Sequence, residues 1–169
     1  KYPVIFHVYG EPAGSTVQDN WGTGDNLWHQ YLANELGCIV ISIDNRGTRV
    51  PRGRDFRKCI YRQVGLLAAD DQAAAAKKIF TMYPFIDAAH TGIWGWSGGG
   101  QMSLHCIFRH GDVFKSAIAV SFVSLQTLYD NIYQERYMGL PKDNVEGYRE
   151  GSPITHAKKL QGNLMIMHG

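Results

Sequence analysis

The chain has little cysteine. Cys38, Cys59 and Cys106 are an odd number without CxxC spacing, which argues against a disulfide framework and against a zinc knuckle. Cys38 and Cys106 lie in apolar runs and read as small buried or half-buried fillers. The chain also lacks an excess of charge: 17 Lys and Arg against 15 Asp and Glu leave +2, too little for net charge to select an acidic partner. No apolar run approaches the roughly 18 residues of a membrane span, and no signal-peptide pattern opens the chain. No pair of histidines has metal-ligand spacing with a carboxylate, so neither a metal nor a cofactor is expected. A starting Met is missing too: Lys1-Tyr2-Pro3 leads straight into a strand, and the last strand runs to His168-Gly169. The expectation is one partial domain over residues 1–169, a piece of a longer polypeptide whose missing targeting signals say nothing about location.

What is present is a globular composition, 44% hydrophobic and 12% aromatic over 169 residues, enough for one domain with a real core. Residues 3–9 form a near-continuous β-prone run that suits a strand covered on both faces. Gly10-Glu11-Pro12-Ala13-Gly14 breaks it. A polar loop through Asn20-Trp21-Gly22 leads to a helix around residues 28–33 that ends near Gly37, and a second buried strand is expected at 38–43. Strand, helix, strand is the crossover unit of a parallel sheet.

Arg46, Arg49, Arg52, Arg54, Arg57, Lys58 and Arg62 crowd the next segment. Aromatic interleaving there is thin (Phe56, Tyr61) and no recognition module surrounds it, so a solvated or domain-contacting loop is expected and no nucleic-acid partner. Residues 66–83 read as a helix whose Ala69, Ala73, Ala76, Phe80 and Tyr83 make one face. Further strands are expected at 91–96, 117–121 and 164–167. Five buried-type strands separated by helices predict a doubly wound, mostly parallel α/β sheet.

Gly95-Trp96-Ser97-Gly98-Gly99-Gly100 stands where a strand meets a helix. A strand that becomes a helix with almost no loop strains its corner residue, and Gly95 and Gly99 let the two arms pass. A glycine-rich turn whose serine merely caps the helix is written with the same letters. The position at the carboxyl end of the third strand, where such sheets bind ligands, favours Ser97 as a nucleophile in an α/β-hydrolase fold. A serine hydroxyl needs a base for its proton and donors for the oxyanion. Gly98 supplies one N–H by position. The loop after the first strand should supply the second donor, and there stands Tyr9, which also reads as a strand-end aromatic with a wet hydroxyl.

The fold's order is serine, then acid, then histidine. Two strands precede the nucleophile strand, so the chain would enter at the third strand of that fold and close on its seventh, with the acid and the histidine expected past Gly169. Asp44 precedes the serine, the wrong order. His105 and His110 lie along the nucleophile helix, His90 just before the nucleophile strand at its far end, His156 on the way to the last strand and His168 at that strand's end. None is expected to be the base.

Tyr9-Gly10-Glu11-Pro12, Asp44-Asn45-Arg46-Gly47, Ile60-Tyr61-Arg62, Asp71-Gln72, the Ser97 motif, Val113-Phe114-Lys115 and Tyr133-Gln134-Glu135-Arg136-Tyr137-Met138-Gly139-Leu140-Pro141 together resemble the catalytic domain of the dipeptidyl peptidase IV branch of the prolyl oligopeptidase family. The likeness is greatest to its bacterial members and runs almost from end to end. It implies Ser97 as nucleophile, Tyr9 and the Gly98 amide as oxyanion donors, and Tyr129, Tyr133 and Val123 as walls of an apolar pocket for proline or alanine. A flat aromatic pocket suits a pyrrolidine ring, although Tyr129, Tyr133 and Tyr137 at every fourth residue also suit a plain amphipathic helix. Two positions depart: Gly98 stands where mammalian members have tyrosine, and Gln126 where they have a pocket tryptophan.

The implied activity is release of Xaa-Pro or Xaa-Ala dipeptides from peptide amino termini through an acyl-enzyme. The implied context is a full-length homodimer in the periplasm or outside the cell, with the groups that hold the substrate amine upstream of Lys1. These 169 residues alone are expected to be inactive. The rivals are an acylaminoacyl peptidase, oligopeptidase or esterase on the same fold, and a non-catalytic homologue that serves as a binding subunit.

Overall fold

Alternating large apolar side chains decide which way the first strand faces. The computed structural model describes residues 1–12, 14–21 and 26–169; Ala13 and Gly22, in the breaks expected after the first strand, lie outside the described residues. Strand β1 is Tyr2–His7, and Val4, Phe6 and the following Val8 are fully buried on one face, as the two-residue period of a strand requires. Helix α1 (Asn26–Glu35), β2 (Ile39–Ser42), α2 (Gly53–Lys58) and α3 (Leu66–Met82) follow. Then come β3 (Ile86–Trp96), α4 (Gly98–Arg109), β4 (Ser116–Val120), α5 (Asn131–Met138), α6 (Val145–Glu150) and β5 (Asn163–Met167).

The five strands are all parallel, in the order β2-β1-β3-β4-β5. Phe6 lies opposite Ile93, Ile93 opposite Ala117, and Ala117 opposite Leu164. From β1 the chain turns to one side to make β2 and returns on the other side to make β3. The carboxyl ends of β1 and β3 therefore flank the switch point, the crevice where open α/β sheets bind ligands.

The main core lies between one face of the sheet and helices α3 and α4. Ala69, Ala73 and Ala76 on α3 are buried without bulk, so that helix sits close to the strands. Phe6 fills the centre, edge-on to Phe114 with ring centroids 5.7 Å apart and to Phe80 at 6.4 Å. Helix α4 is buried along its length from Gly98 to Phe108, and its polar Gln101, Ser103 and His105 each hydrogen-bond a backbone carbonyl. Cys106 within it is sealed, and burial pushes its thiol pKa up, so it fills space as expected of it. Cys38 is half-buried.

Four expectations change. Strand β2 is half-buried throughout and β5 is largely exposed, because each has a neighbour on one side only. Helix α3 stops at Met82, and Tyr83, expected on its inner face, is exposed and packs on Phe85 with centroids 5.6 Å apart. His90 lies within β3 rather than before it, exposed and bonded to Asp87 at 2.8 Å. The arginine-rich segment contacts the domain, as one of its two expected placements had it, but holds helix α2 where a loop was expected: Arg46 pairs with Asp71 at 2.7 Å, and Ile60 and Val64 form a small second core with Met138 and Tyr148.

Candidate active site

Ser97 is the residue between β3 and α4, with φ 57° and ψ −116°, a backbone region that a non-glycine residue enters only when its surroundings hold it there. The glycines around it show what holds it. A Cβ on Gly95 would meet the carbonyl oxygen of Val8 and lie 2.5 Å from the Gly99 carbonyl carbon and oxygen; one on Gly99 would collide with the same Val8 oxygen; one on Gly100 would lie 2.7 Å from Val120 O. Three strand ends thus converge on the helix start. The Ser97 N–H donates to Val120 O at 2.9 Å and its carbonyl accepts from Gln101 N at 3.0 Å. Its side chain makes no capping bond to α4, so the hydroxyl is not spent on the helix. Gly99→Ala should lower the unfolding free energy by about 2 kcal/mol or more, read as a shift of the denaturant midpoint; an unmoved midpoint would mean that the corner relaxes.

The amide of Gly98 opens α4, where the first-turn N–H groups have no partner within the helix and the helix dipole favours negative charge. Across the crevice, Val8 N donates to Trp94 O at 3.0 Å, which carries the chain end of β1 to the same place. There Tyr9 Cα lies 3.3 Å from where a Gly99 Cβ would be. Its ring packs on Gly14, whose Cβ would fall 2.7 Å from Tyr9 Cδ1. Burial, then the Glu11 carboxyl and the Tyr129 phenol, hold the Tyr9 pKa above its ordinary value, which keeps this hydroxyl a donor.

The loop that carries Tyr9 is latched from β2. Asn45 donates to Gly10 O at 3.0 Å and accepts from Gln72 at 3.1 Å. Asp44 accepts from Thr16 N at 2.7 Å, Thr16 Oγ1 at 3.0 Å and Val17 N at 3.1 Å. Both carboxylate oxygens of Asp44 are thus occupied in the loop and none of these bonds goes to a histidine.

The tyrosine segment reaches the same crevice. Asp130 caps α5 by accepting from Tyr133 N at 2.8 Å, so Tyr129 stands before the helix rather than on it. The rings of Tyr129 and Tyr133 meet edge to face at 5.6 Å, and those of Tyr133 and Tyr137 at 4.9 Å. The Tyr133 hydroxyl is buried and couples to Glu11 and Tyr9, with burial and then the Glu11 charge raising its pKa; it reaches no well-formed hydrogen bond. Val123 is half-buried on the segment after β4. Tyr9, Gly98, Tyr133 and Tyr129 are brought together around Glu11, a residue that sequence reasoning passed over. The signal was the missing side chain at 98: a Cβ there would collide with the Glu11 carboxyl.

Gln126 faces the framework. Its Nε2 donates to Gly151 O at 2.8 Å and to Val64 O at 3.2 Å. The same Gly151 oxygen accepts from Gln101 Nε2 at 3.1 Å and lies 2.8 Å from His105 Nε2. That bond places the His105 proton on Nε2, and burial drives its pKa down to about 3, so this ring is a neutral strut between α4 and residue 151. His110 lies 2.9 Å from Asp70, His156 Nε2 2.8 Å from Glu150 O, and the His168 ring sits edge-on to Phe122 at 5.4 Å. Among the described residues, no histidine hydrogen-bonds the Ser97 hydroxyl.

A parallel sheet that delivers a strained serine onto the start of a buried helix, at the switch point between its first and third strands, is the α/β-hydrolase fold. Residues 24–169 match the model of the prolyl oligopeptidase family, and the chain belongs to that family. It is 40% identical over its whole length to a probable dipeptidyl-aminopeptidase B of Arthroderma otae, of which it covers 18%. It is 37% identical to a probable dipeptidyl peptidase 4 of Aspergillus flavus, of which it covers 22%. The crystal structure of dipeptidyl peptidase 4 from Porphyromonas gingivalis superposes on 99% of the chain with a TM-score of 0.92 and 43% identity, and the chain covers 23% of it. The chain spans about a fifth of the length of these relatives.

Proposed function

We propose that the whole protein is a serine exopeptidase that releases Xaa-Pro or Xaa-Ala dipeptides from peptide amino termini. The observation that carries the reading is the strained Ser97, with its hydroxyl unused by the helix, next to the Gly98 amide at a helix start against which the backbone of Tyr9 is packed. Ser97 Oγ attacks the carbonyl carbon of the second residue while a histidine base takes its proton. The carbonyl oxygen becomes an oxyanion that accepts from Gly98 N–H and Tyr9 O–H. Collapse breaks the C–N bond, the histidinium gives its proton to the leaving amine, and water then cleaves the acyl-enzyme by the reverse sequence of transfers.

In this proposal the histidine and its acid come from beyond Gly169, and the groups that hold the substrate amine from before Lys1. The perpendicular rings of Tyr129 and Tyr133 suit a flat apolar side chain at the residue before the scissile bond. The names of the fungal and bacterial relatives support the dipeptide unit. The full-length protein should release chromophore from a Gly-Pro anilide faster than from an acetylated amino-acid anilide. The opposite order would move the reading to an acylaminoacyl peptidase.

A further inference from the structure

Glu11 is 6% exposed, and among the described residues no Lys, Arg or His forms an ion pair with it. A carboxyl so placed needs a reason, since burial without a partner is costly. Its surroundings supply one. A Cβ on Gly98 would collide with Glu11 Cδ and Oε1 and lie 2.5 Å from Cγ, so Glu11 fills the room that a side chain on residue 98 would need. The Tyr133 phenol interacts with the same carboxyl, and its charge is felt at the Tyr9 phenol. The residue therefore sits among the amide, the phenol and the ring wall that the proposed function uses.

We propose that Glu11 is a specificity-determining residue: its carboxyl replaces the pocket wall that Gly98 cannot form and gives an otherwise aromatic pocket one hydrogen-bonding group. The inference rests on the reading of Tyr9, Gly98 and Tyr133 given under the proposed function. An apolar pocket separates side chains by fit alone and rejects an added hydroxyl weakly, whereas a site with a buried polar group favours the substrate that satisfies it. Proline and alanine leave the Glu11 carboxyl unmet. Serine or 4-hydroxyproline before the scissile bond offers it a hydroxyl of matching size. Burial raises the pKa of this carboxyl above its ordinary value, partly offset by Tyr133.

The test is kcat/KM of the full-length protein on Gly-Ser and Gly-Ala anilides, and on Gly-hydroxyproline and Gly-Pro anilides. The hydroxyl-bearing member of each pair should lose at least about tenfold relative to its partner in Glu11→Leu, and stay within about threefold in Glu11→Gln, whose amide still hydrogen-bonds. Glu11→Gly, which only empties space, should show the same loss as Glu11→Leu and covers the case in which leucine does not fold. Unchanged ratios in Glu11→Gly overturn the proposal while leaving the dipeptidase reading intact; wild-type protein inert on all four anilides overturns that reading and this one with it. Gly98→Ala should damage folding or turnover far less in the Glu11→Gly background than alone, and equal damage in both would overturn the claim of shared space.

Discussion

Ser97→Ala should lower turnover of a Gly-Pro anilide by the full-length protein by at least about three orders of magnitude, with the unfolding midpoint nearly unchanged. The two halves of this expectation have separate causes. The backbone at 97 is held at φ 57° by the convergence of Val8, Val120 and the glycines at 95, 99 and 100, and alanine pays the same conformational cost there as serine. The hydroxyl makes no capping bond, so its removal takes nothing from α4. What disappears is the atom proposed to form the acyl bond. Residual rate would come from the oxyanion donors and substrate positioning alone. A serine-directed phosphonylating reagent should label the wild type at Ser97 and leave the variant untouched. A variant that keeps more than a few per cent of wild-type turnover would show that another group attacks the carbonyl.

The corner was legible because its strain dictates residue types. Only glycine fits at 95 and 99 against the Val8 carbonyl, so the fold writes its geometry into letters. The position of Tyr9 was legible for a related reason: the end of β1 falls at the switch point, and Tyr9 follows it with only Val8 between. The exposure of β2 and β5 was not, because Ile-Val-Ile and Leu-Met-Ile-Met have the same apolar character in a central strand or at an edge. Coverage is a property of neighbours. The four-residue spacing of Tyr129, Tyr133 and Tyr137 suggested one helix, but Asp130 accepts from Tyr133 N and starts the helix after Tyr129; an Asp just before an apolar-periodic run was the available signal. Glu11 was hidden more deeply. A single glutamate in a Gly-Pro loop reads as solvated, and its burial follows from an absence at residue 98, far along the chain.

Tyr9→Phe should reduce kcat by roughly a hundredfold with KM little changed. In the proposed role the phenol donates only once the carbonyl oxygen carries charge, so the interaction would belong to the transition state and its loss would appear in kcat. Folding should survive, because the ring packs on Gly14 through its Cδ1 and Cε1 edge, which phenylalanine keeps. The pH profile separates this role from a structural one. Burial, Glu11 and Tyr129 all raise the Tyr9 pKa, so the phenol stays protonated through neutral and mildly alkaline pH, and its ionisation costs activity only above the ordinary phenol range of about 10. A rate that falls on the alkaline side in the wild type through this group should lose that limb in Tyr9→Phe, leaving the remaining ionisations in place. An unchanged kcat would return Tyr9 to the role of a strand-end aromatic and leave the Gly98 amide to receive the oxyanion with some other donor. A fall in kcat accompanied by a lowered unfolding midpoint would instead assign the phenol to holding the loop after β1.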